Sequence, residues 1–251
     1  MVDMRGILVA EGLSKSFGGL RAVRDVTLTL SAKELHAVIG PNGAGKSTFV
    51  NLLSGELAPN GGRLYLEGRD ITGTRPWDMP RLGVSRSFQR TNILKSLSVL
   101  ENVRLGVQAV RLPARAVLAA PHTQTALIDT ARRALDRVGL SEHERTIAGV
   151  LSHGAQRQLE IAMALASDPK VLLLDEPLAG MGPEESERMV ALLQSLAREH
   201  AVLLIEHDMD FVFKVADHMT VLVEGAVLAS GKPAEVRANA AVQSAYLGGH
   251  A

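Results

Sequence analysis

The stretch "GPNGAGKST", Gly40 to Thr48, constrains the chain more than any other. It satisfies the spacing G-x-x-x-x-G-K-[ST] of a phosphate-binding loop. Gly40, Gly43 and Gly45 let the backbone wrap close around oxygen atoms, so that consecutive N–H groups point at an anion. Lys46 adds a point charge for the β and γ phosphates, the Ser47 hydroxyl is placed to ligate Mg²⁺, and Thr48 lies one step into a helix whose N-terminus faces the anion. Asn42 and Ala44 complete the nucleotide-binding run. A chance glycine turn would meet the spacing, but the loop also follows the buried-looking strand "HAVIG" and opens a helix.

Two later apolar runs, "VLLLDEP" at 171 to 177 and "AVLLIEHD" at 201 to 208, end in acids or histidine, as parallel strands buried on both faces do. Asp175, at the carboxyl end of the first, is the expected Mg²⁺ partner through water. Glu176 beside it would repel Asp175 in an apolar setting unless a cation and a water separated their tasks, so it is assigned to orient and deprotonate an attacking water. Taken alone, Glu176 has a blander reading as a helix cap or loop acid. "LSHGAQ", Leu151 to Gln156, precedes the helix-patterned "RQLEIAMALA", and its glycine and helix start suit a second anion.

Around these motifs the chain reads as α/β. "ILVA" at 7 to 10, "VRDVTLTL" at 23 to 30 and "RLYLEG" at 63 to 68 read as an antiparallel sheet. Pro183 opens a helix with Glu184 and Glu185 behind it and Met189, Leu192, Leu193 and Leu196 at helical spacing. "MTVLVEGAVLASG" reads as a hairpin turning at Glu224-Gly225. Residues 92–165 are rich in Ala, Leu and Arg and read as a helical insertion broken around Pro113 to Pro121. With 27 basic and 27 acidic residues the formal charge is zero, which gives no general pull toward nucleic acid or anionic lipid. There is no cysteine, so thiolate metal sites and cysteine nucleophiles are excluded. The start lacks the apolar core of a signal peptide and no run reaches the roughly 20 apolar residues of a membrane span, so a membrane role is expected to come through a partner.

With "SFGG" at 16 to 19, "SFQ" at 87 to 89 and "IEHD" at 205 to 208, the ordered motifs make the chain resemble the nucleotide-binding subunits of ATP-binding cassette (ABC) transporters. The resemblance covers about residues 8 to 247. It implies a P-loop NTPase fold of the RecA-like kind: a parallel-sheet core over about 1–91 and 166–251 carrying an antiparallel β subdomain, and a helical subdomain over about 92–165. It implies Mg²⁺-ATP as the ligand and hydrolysis as the reaction. It also implies a head-to-tail pair with a second cassette, identical or paralogous, in which "LSHGAQ" completes the neighbour's site through Ser152 and Gly154. The commoner family form is LSGGQ, so His153 stands for a glycine and Ala155 for the glutamine. Phe17 matches the aromatic that stacks on adenine, although a lone Phe is more often core. Val23 is placed on the ribose side. Gln89 matches the glutamine that senses Mg²⁺ and γ-phosphate, and His207 the histidine that contacts that phosphate, against a purely structural reading of a strand-end histidine. Gly182 occupies a position where the family commonly has aspartate.

At sub-family level, "FGGLRAV", "EPLAGM", "IEHDMDFV" and "SAYLGG" resemble the ATPases of importers for branched-chain amino acids, urea and short-chain amides. The partners implied are transmembrane permease subunits and, indirectly, an extracytoplasmic solute-binding protein, with the chain peripheral on the cytoplasmic face of the membrane and no nucleic acid bound. Rival readings are the ATPase of a lipopolysaccharide exporter, a soluble cassette protein acting on ribosomes or DNA, and a P-loop kinase. The soluble cassette reading sits poorly with a single cassette that lacks heptads, and the kinase leaves "LSHGAQ" and His207 unexplained.

Overall fold

The computed structural model describes residues 6–87, 92–112 and 121–247. The first part of the chain runs through β1 (Leu8–Phe17), β2 (Leu20–Leu30), β3 (Leu35–Ile39), α1 (Lys46–Leu53), β4 (Gly61–Leu66), β5 (Arg69–Asp70), α2 (Met79–Leu82) and β6 (Val84–Arg86). Then follow α3 (Val99–Arg111), α4 (Pro121–Arg137), α5 (His153–Leu165), β7 (Val171–Asp175), α6 (Pro183–Ala197), β8 (Ala201–Ile205) and α7 (Met209–Val215). β9 (His218–Val223), β10 (Ala226–Gly231), α8 (Pro233–Ala238) and α9 (Ala240–Leu247) complete it.

A six-stranded sheet has the order β10-β9-β3-β8-β7-β6, parallel from β9 to β6 with β10 antiparallel at one edge. Strands β3, β7 and β8 are buried along their whole length, and because successive side chains point to opposite faces they feed two cores. Ile39, Leu172, Leu174 and Leu204 join the core that contains α3 to α7. Val38, Leu173, Leu203 and Ile205 join the other, which contains Phe49 and Val50 of α1 and the inner face of an antiparallel sheet ordered β2-β1-β4-β5. Each such Leu or Ile contributes roughly 1.5–3 kcal/mol on burial. With β8 between β3 and β7, the carboxyl ends of all three lie side by side, where open α/β sheets bind ligands.

Most of the strands expected from the sequence are present, including the hairpin: Glu224 and Gly225 have φ of 49° and 79°, the doubly left-handed turn that suits two antiparallel strands. The short edge strand β6 was not foreseen, since three residues carry no readable period. Ser98 caps α3 by accepting from the Glu101 N–H at 3.2 Å, and Ser152 caps α5 by accepting from Ala155 at 3.2 Å.

Helix α4 is tied to the sheet through buried His200. An Arg137 guanidinium nitrogen lies 2.8 Å from Nε2, and Nδ1 lies 2.7 Å from the Pro169 carbonyl. A guanidinium only donates, so Nε2 must accept and the ring is neutral with its proton on Nδ1. Burial pushes the His200 pKa below the usual 6.5, and Arg137 adds to the effect against the Pro169 bond and the acids Glu199 and Asp168. The unfolded chain therefore binds the extra proton first, so the stabilisation is complete above about pH 6.5 and is lost as pH falls from there toward the folded value. The thermal midpoint should fall between pH 7.5 and 5.5, and His200→Gln should reduce that fall. An unchanged slope in the variant, read by calorimetry, would assign the dependence elsewhere.

Candidate functional site

The phosphate-type loop leaves β3 and enters α1 through backbone that only glycine adopts without strain. Gly45, the residue preceding α1, has φ of 97°, and a Cβ there would lie 2.3 Å from the Ala22 carbonyl oxygen of β2. The turn between β9 and β10 closes the contact: Gly225 donates to the Ala44 carbonyl at 3.0 Å and accepts from the Arg24 N–H at 2.7 Å. Three segments far apart in sequence thus hold the loop from outside. Residues Asn42 to Thr48 line an open cleft together with Arg21, Ala22, Arg24, Glu176 and Glu224.

Inside the loop, the Lys46 ammonium donates to the carbonyls of Gly40 at 2.5 Å and Pro41 at 3.1 Å. It is only 8% exposed. Burial lowers its pKa, while the charges of Glu176, Asp175 and Glu206 act to raise it. Asp175 ends β7 at 3% exposure, and burial raises its pKa against the pull of the Arg86 guanidinium. The next residue, Glu176, has a φ of 46°, rare for a side chain-bearing residue, and its N–H donates to the Ile205 carbonyl at 2.9 Å. That turn sends Asp175 into the protein and puts Glu176 on the cleft beside the loop. His207, after β8, has Nδ1 3.7 Å from both Glu176 Oε1 and Glu206 Oε2, and its side chain is largely exposed.

Glu206 was quoted in the sequence motif without a role. The structure buries it to 1% exposure, where it accepts from the backbone N–H of His207 at 3.2 Å and of Leu178 at 3.4 Å. It therefore ties the segment after β7 to the segment after β8. Burial raises its pKa, opposed by those two N–H groups. An acid between Ile205 and His207 carries no sequence signal of burial, because the continuous apolar run ends at Ile205 with the strand.

Ser152 and Gly154 do not line the loop's cleft. They line a second one with Met181, Glu185 and Met189. There the Ser152 hydroxyl, while capping α5, donates to Glu185 Oε1 of α6 at 3.1 Å, and the Glu185 carboxylate covers Gly154 so closely that a Cβ would sit 2.8 Å from it. Phe17 stands 47% exposed at the tip of the β1–β2 hairpin, which rules out the core reading. Val23 is a correction: at 1% exposure it packs in the core with Val26 and Leu28, and the strand's alternation turns Ala22 and Arg24 to the cleft instead. Gln89 lies outside the described residues.

Both flanks of residues 88–91 are pinned near the acids. On one side Ser87 donates to the Leu173 carbonyl at 2.9 Å and Arg86 reaches Asp175. On the other, the Asn92 N–H donates to Glu160 Oε1 at 2.6 Å, and Glu160 in turn accepts from Arg157 at 2.8 Å. Helix α5, capped by Ser152 and carrying Gly154 in its first turn, is thereby linked to the exit of that segment. Sequence reading missed Arg86, Arg157 and Glu160, whose shared burial depends on helix and strand packing together.

As for the metal, Ser47 and Asp175 offer hydroxyl and carboxylate oxygen, the hard donors that Mg²⁺ takes. Among the described residues no group of three or more His, Cys, Asp or Glu could hold a metal by itself. The donor set thus fits an ion that draws most of its ligands from phosphate and water.

The family described as ABC transporter matches residues 23–179, and that described as branched-chain amino acid ATP-binding cassette transporter matches residues 226–251. The high-affinity branched-chain amino acid transport ATP-binding protein BraF of Pseudomonas aeruginosa is 40% identical over 252 residues, covering 97% of this chain and 98% of BraF. The corresponding protein LivG of Salmonella typhimurium is 40% identical over 250 residues, covering 96% and 98%. A crystal structure of a nucleotide-free ATP-binding cassette from an ABC transporter superposes with a TM-score of 0.85 at 30% identity, covering 96% of this chain and 98% of that one.

Gly45→Ala should cost on the order of 2–4 kcal/mol, from left-handed strain plus the clash with Ala22. Gly43→Ala, with φ of 80° but nothing within 4 Å of its Cβ, should cost only about 1 kcal/mol. Urea unfolding of both variants checks the difference, and equal losses would contradict the packing argument.

Proposed function

The chain belongs to the ATP-binding subunits of ABC transporters, and from that premise we propose how its residues divide the work of an ATP-hydrolysing importer subunit. The proposed solutes are branched-chain amino acids, as the names of BraF and LivG suggest. The carrying observation is the separation of the two anion-binding segments: the loop and Glu176 share one cleft, while Ser152 and Gly154 line another. A site whose phosphate donors are split between two clefts is completed by a second copy or a paralogue, packed head to tail. Closure then depends on intact ATP, because the donors at Ser152 and Gly154 are supplied in trans.

In the proposed site the backbone N–H groups of Asn42 to Ser47 hold the phosphates, and Lys46 exchanges the Gly40 and Pro41 carbonyls for β- and γ-phosphate oxygen. Phe17 stacks on the base. Ser47 and Asp175, with Gln89 from the segment between them in sequence, would hold Mg²⁺, which when bound would supply positive charge to offset that of the β and γ phosphates. Glu176 accepts a proton from a water whose oxygen attacks the γ-phosphorus, the bond to the bridging oxygen breaks, and ADP and phosphate leave. His207 orients that water and contacts the γ-phosphate, while Glu206 keeps the two carrier segments in register. The chain acts as one cassette, with about 92–165 as its helical lobe.

Membrane attachment is proposed to come through permease subunits near Gln89, fed by an extracytoplasmic solute-binding protein. No helix among the described residues is long and apolar enough to cross a membrane. Apolar surface is available close to that segment: Leu94 is half exposed, and Ile147 and Val150 are exposed on a neighbouring turn hydrogen-bonded to Lys95 and Leu97. In this reading the chain sits peripherally on the cytoplasmic face, held there by those permease subunits.

Glu176→Gln should lower ATP turnover by about 10²–10⁴-fold and accumulate an ATP-bound dimer visible by size exclusion. Normal turnover would remove Glu176 from the general-base role. Separately, wild-type turnover should rise more than linearly with protein concentration, vanish in Ser152→Arg and in Lys46→Ala, and return in part when the two variants are mixed. A linear rate indifferent to Ser152→Arg would make each site self-contained.

A further inference from the structure

Arg86 closes β6 on the edge of the parallel sheet, opposite Leu173 of β7, three residues before Gln89. Its side chain is 9% exposed, and one planar guanidinium spans two elements. Nη2 donates to Asp175 Oδ2 at 3.0 Å. Nη1 donates to Asn51 Oδ1 at 2.5 Å and to Ser54 Oγ at 3.0 Å, at the far end of the helix that begins with Lys46 and Ser47.

Asp175 is nearly inaccessible, and the neighbouring Glu176 charge and its own burial both disfavour its ionised form. An acid in that setting needs a fixed partner on one oxygen if the other is to serve a cation. Arg86 supplies it: its fork takes Oδ2 in a defined plane and anchors that plane to α1 through Asn51 and Ser54. We propose that Arg86 is a positioning residue for the metal, holding Oδ2 of Asp175 so that the other carboxylate oxygen would be left to serve a cation shared with Ser47. This rests on the reading above that Asp175 and Ser47 hold Mg²⁺. Groups that orient a metal ligand change metal affinity by roughly 10–100-fold when altered.

The test uses Arg86→Lys, which keeps the charge but replaces the planar fork with a single ammonium on a flexible stem. Arg86→Met removes both, and Asp175→Asn is the control. The purified chain is titrated with a fluorescent ATP analogue in EDTA, which reads the phosphate loop alone, and then with MgCl₂ at fixed analogue, which reads the metal-dependent tightening. Urea midpoints are measured alongside. The expected result is that Arg86→Lys binds the analogue in EDTA within about two-fold of the unaltered chain but needs about 10–100-fold more Mg²⁺ for half of the tightening. If Asp175→Asn moves the Mg²⁺ requirement and Arg86→Lys does not, the positioning role is overturned while the metal reading stands. A shift in the urea midpoint alone, with the Mg²⁺ requirement unmoved, also overturns it, as a purely structural role. If Asp175→Asn leaves the requirement unmoved, the metal reading itself falls and the role of Arg86 with it. Should Arg86→Met fail to fold, Arg86→Lys still decides.

Discussion

Charge buried at the ends of parallel strands is the constraint on which the rest of this structure depends. Lys46, Arg86 and Arg157 face Asp175, Glu160, Glu176 and Glu206 across the carboxyl ends of β3, β8 and β7 and the face of α5, and most of these groups are nearly inaccessible to solvent. None could be buried alone, since an isolated ion in such surroundings neutralises rather than stays charged. Each is therefore held by a partner of opposite charge or by backbone: Asp175 by Arg86, Glu160 by Arg157 and the Asn92 N–H, Glu206 by two N–H groups, Lys46 by two carbonyls. Satisfying the charges brings together the loop after β3, the turn after β7 and the turn after β8.

Backbone contact supplies the second layer of control. The Ala22 carbonyl lies against both Gly45 and Gly225, so the antiparallel sheet touches the phosphate loop through an oxygen and two glycines rather than through side chains. Nothing larger fits there. The loop's shape is thus set partly by β2 and by the β9–β10 turn, elements that contribute no chemistry. The Glu176 backbone in the left-handed region plays a similar part at the end of β7, separating two adjacent acids into one buried and one facing the cleft.

Much of this was legible from residue order. The loop spacing and the apolar runs ending in acids each depend on neighbours within a few positions, where period and turn chemistry act. Legibility failed where a residue's role depends on distant chain. Val23 looks the same in sequence whether its strand turns it inward or toward a ligand; pairing with β1 decided that it lies in the core. Arg86 and Glu160 sit in ordinary helix and strand text, and only the packing of α5 and β6 around β7 makes them partners of the site. Glu185 reads as a first-turn helix acid, and its contact with Ser152 arises from how α6 lies against α5.

The sequence by itself determined the α/β class, the phosphate loop and its family, because glycine spacing and continuous apolar runs are local properties of residue order. Tertiary structure alone decided that β8 lies between β3 and β7, that Glu206 and Arg86 are drawn into the acid cluster, and that Ser152 and Gly154 belong to a different cleft from the loop. The physical reason is that burial and charge pairing are properties of surfaces brought together by packing, and no local window of the chain contains both sides of such a contact.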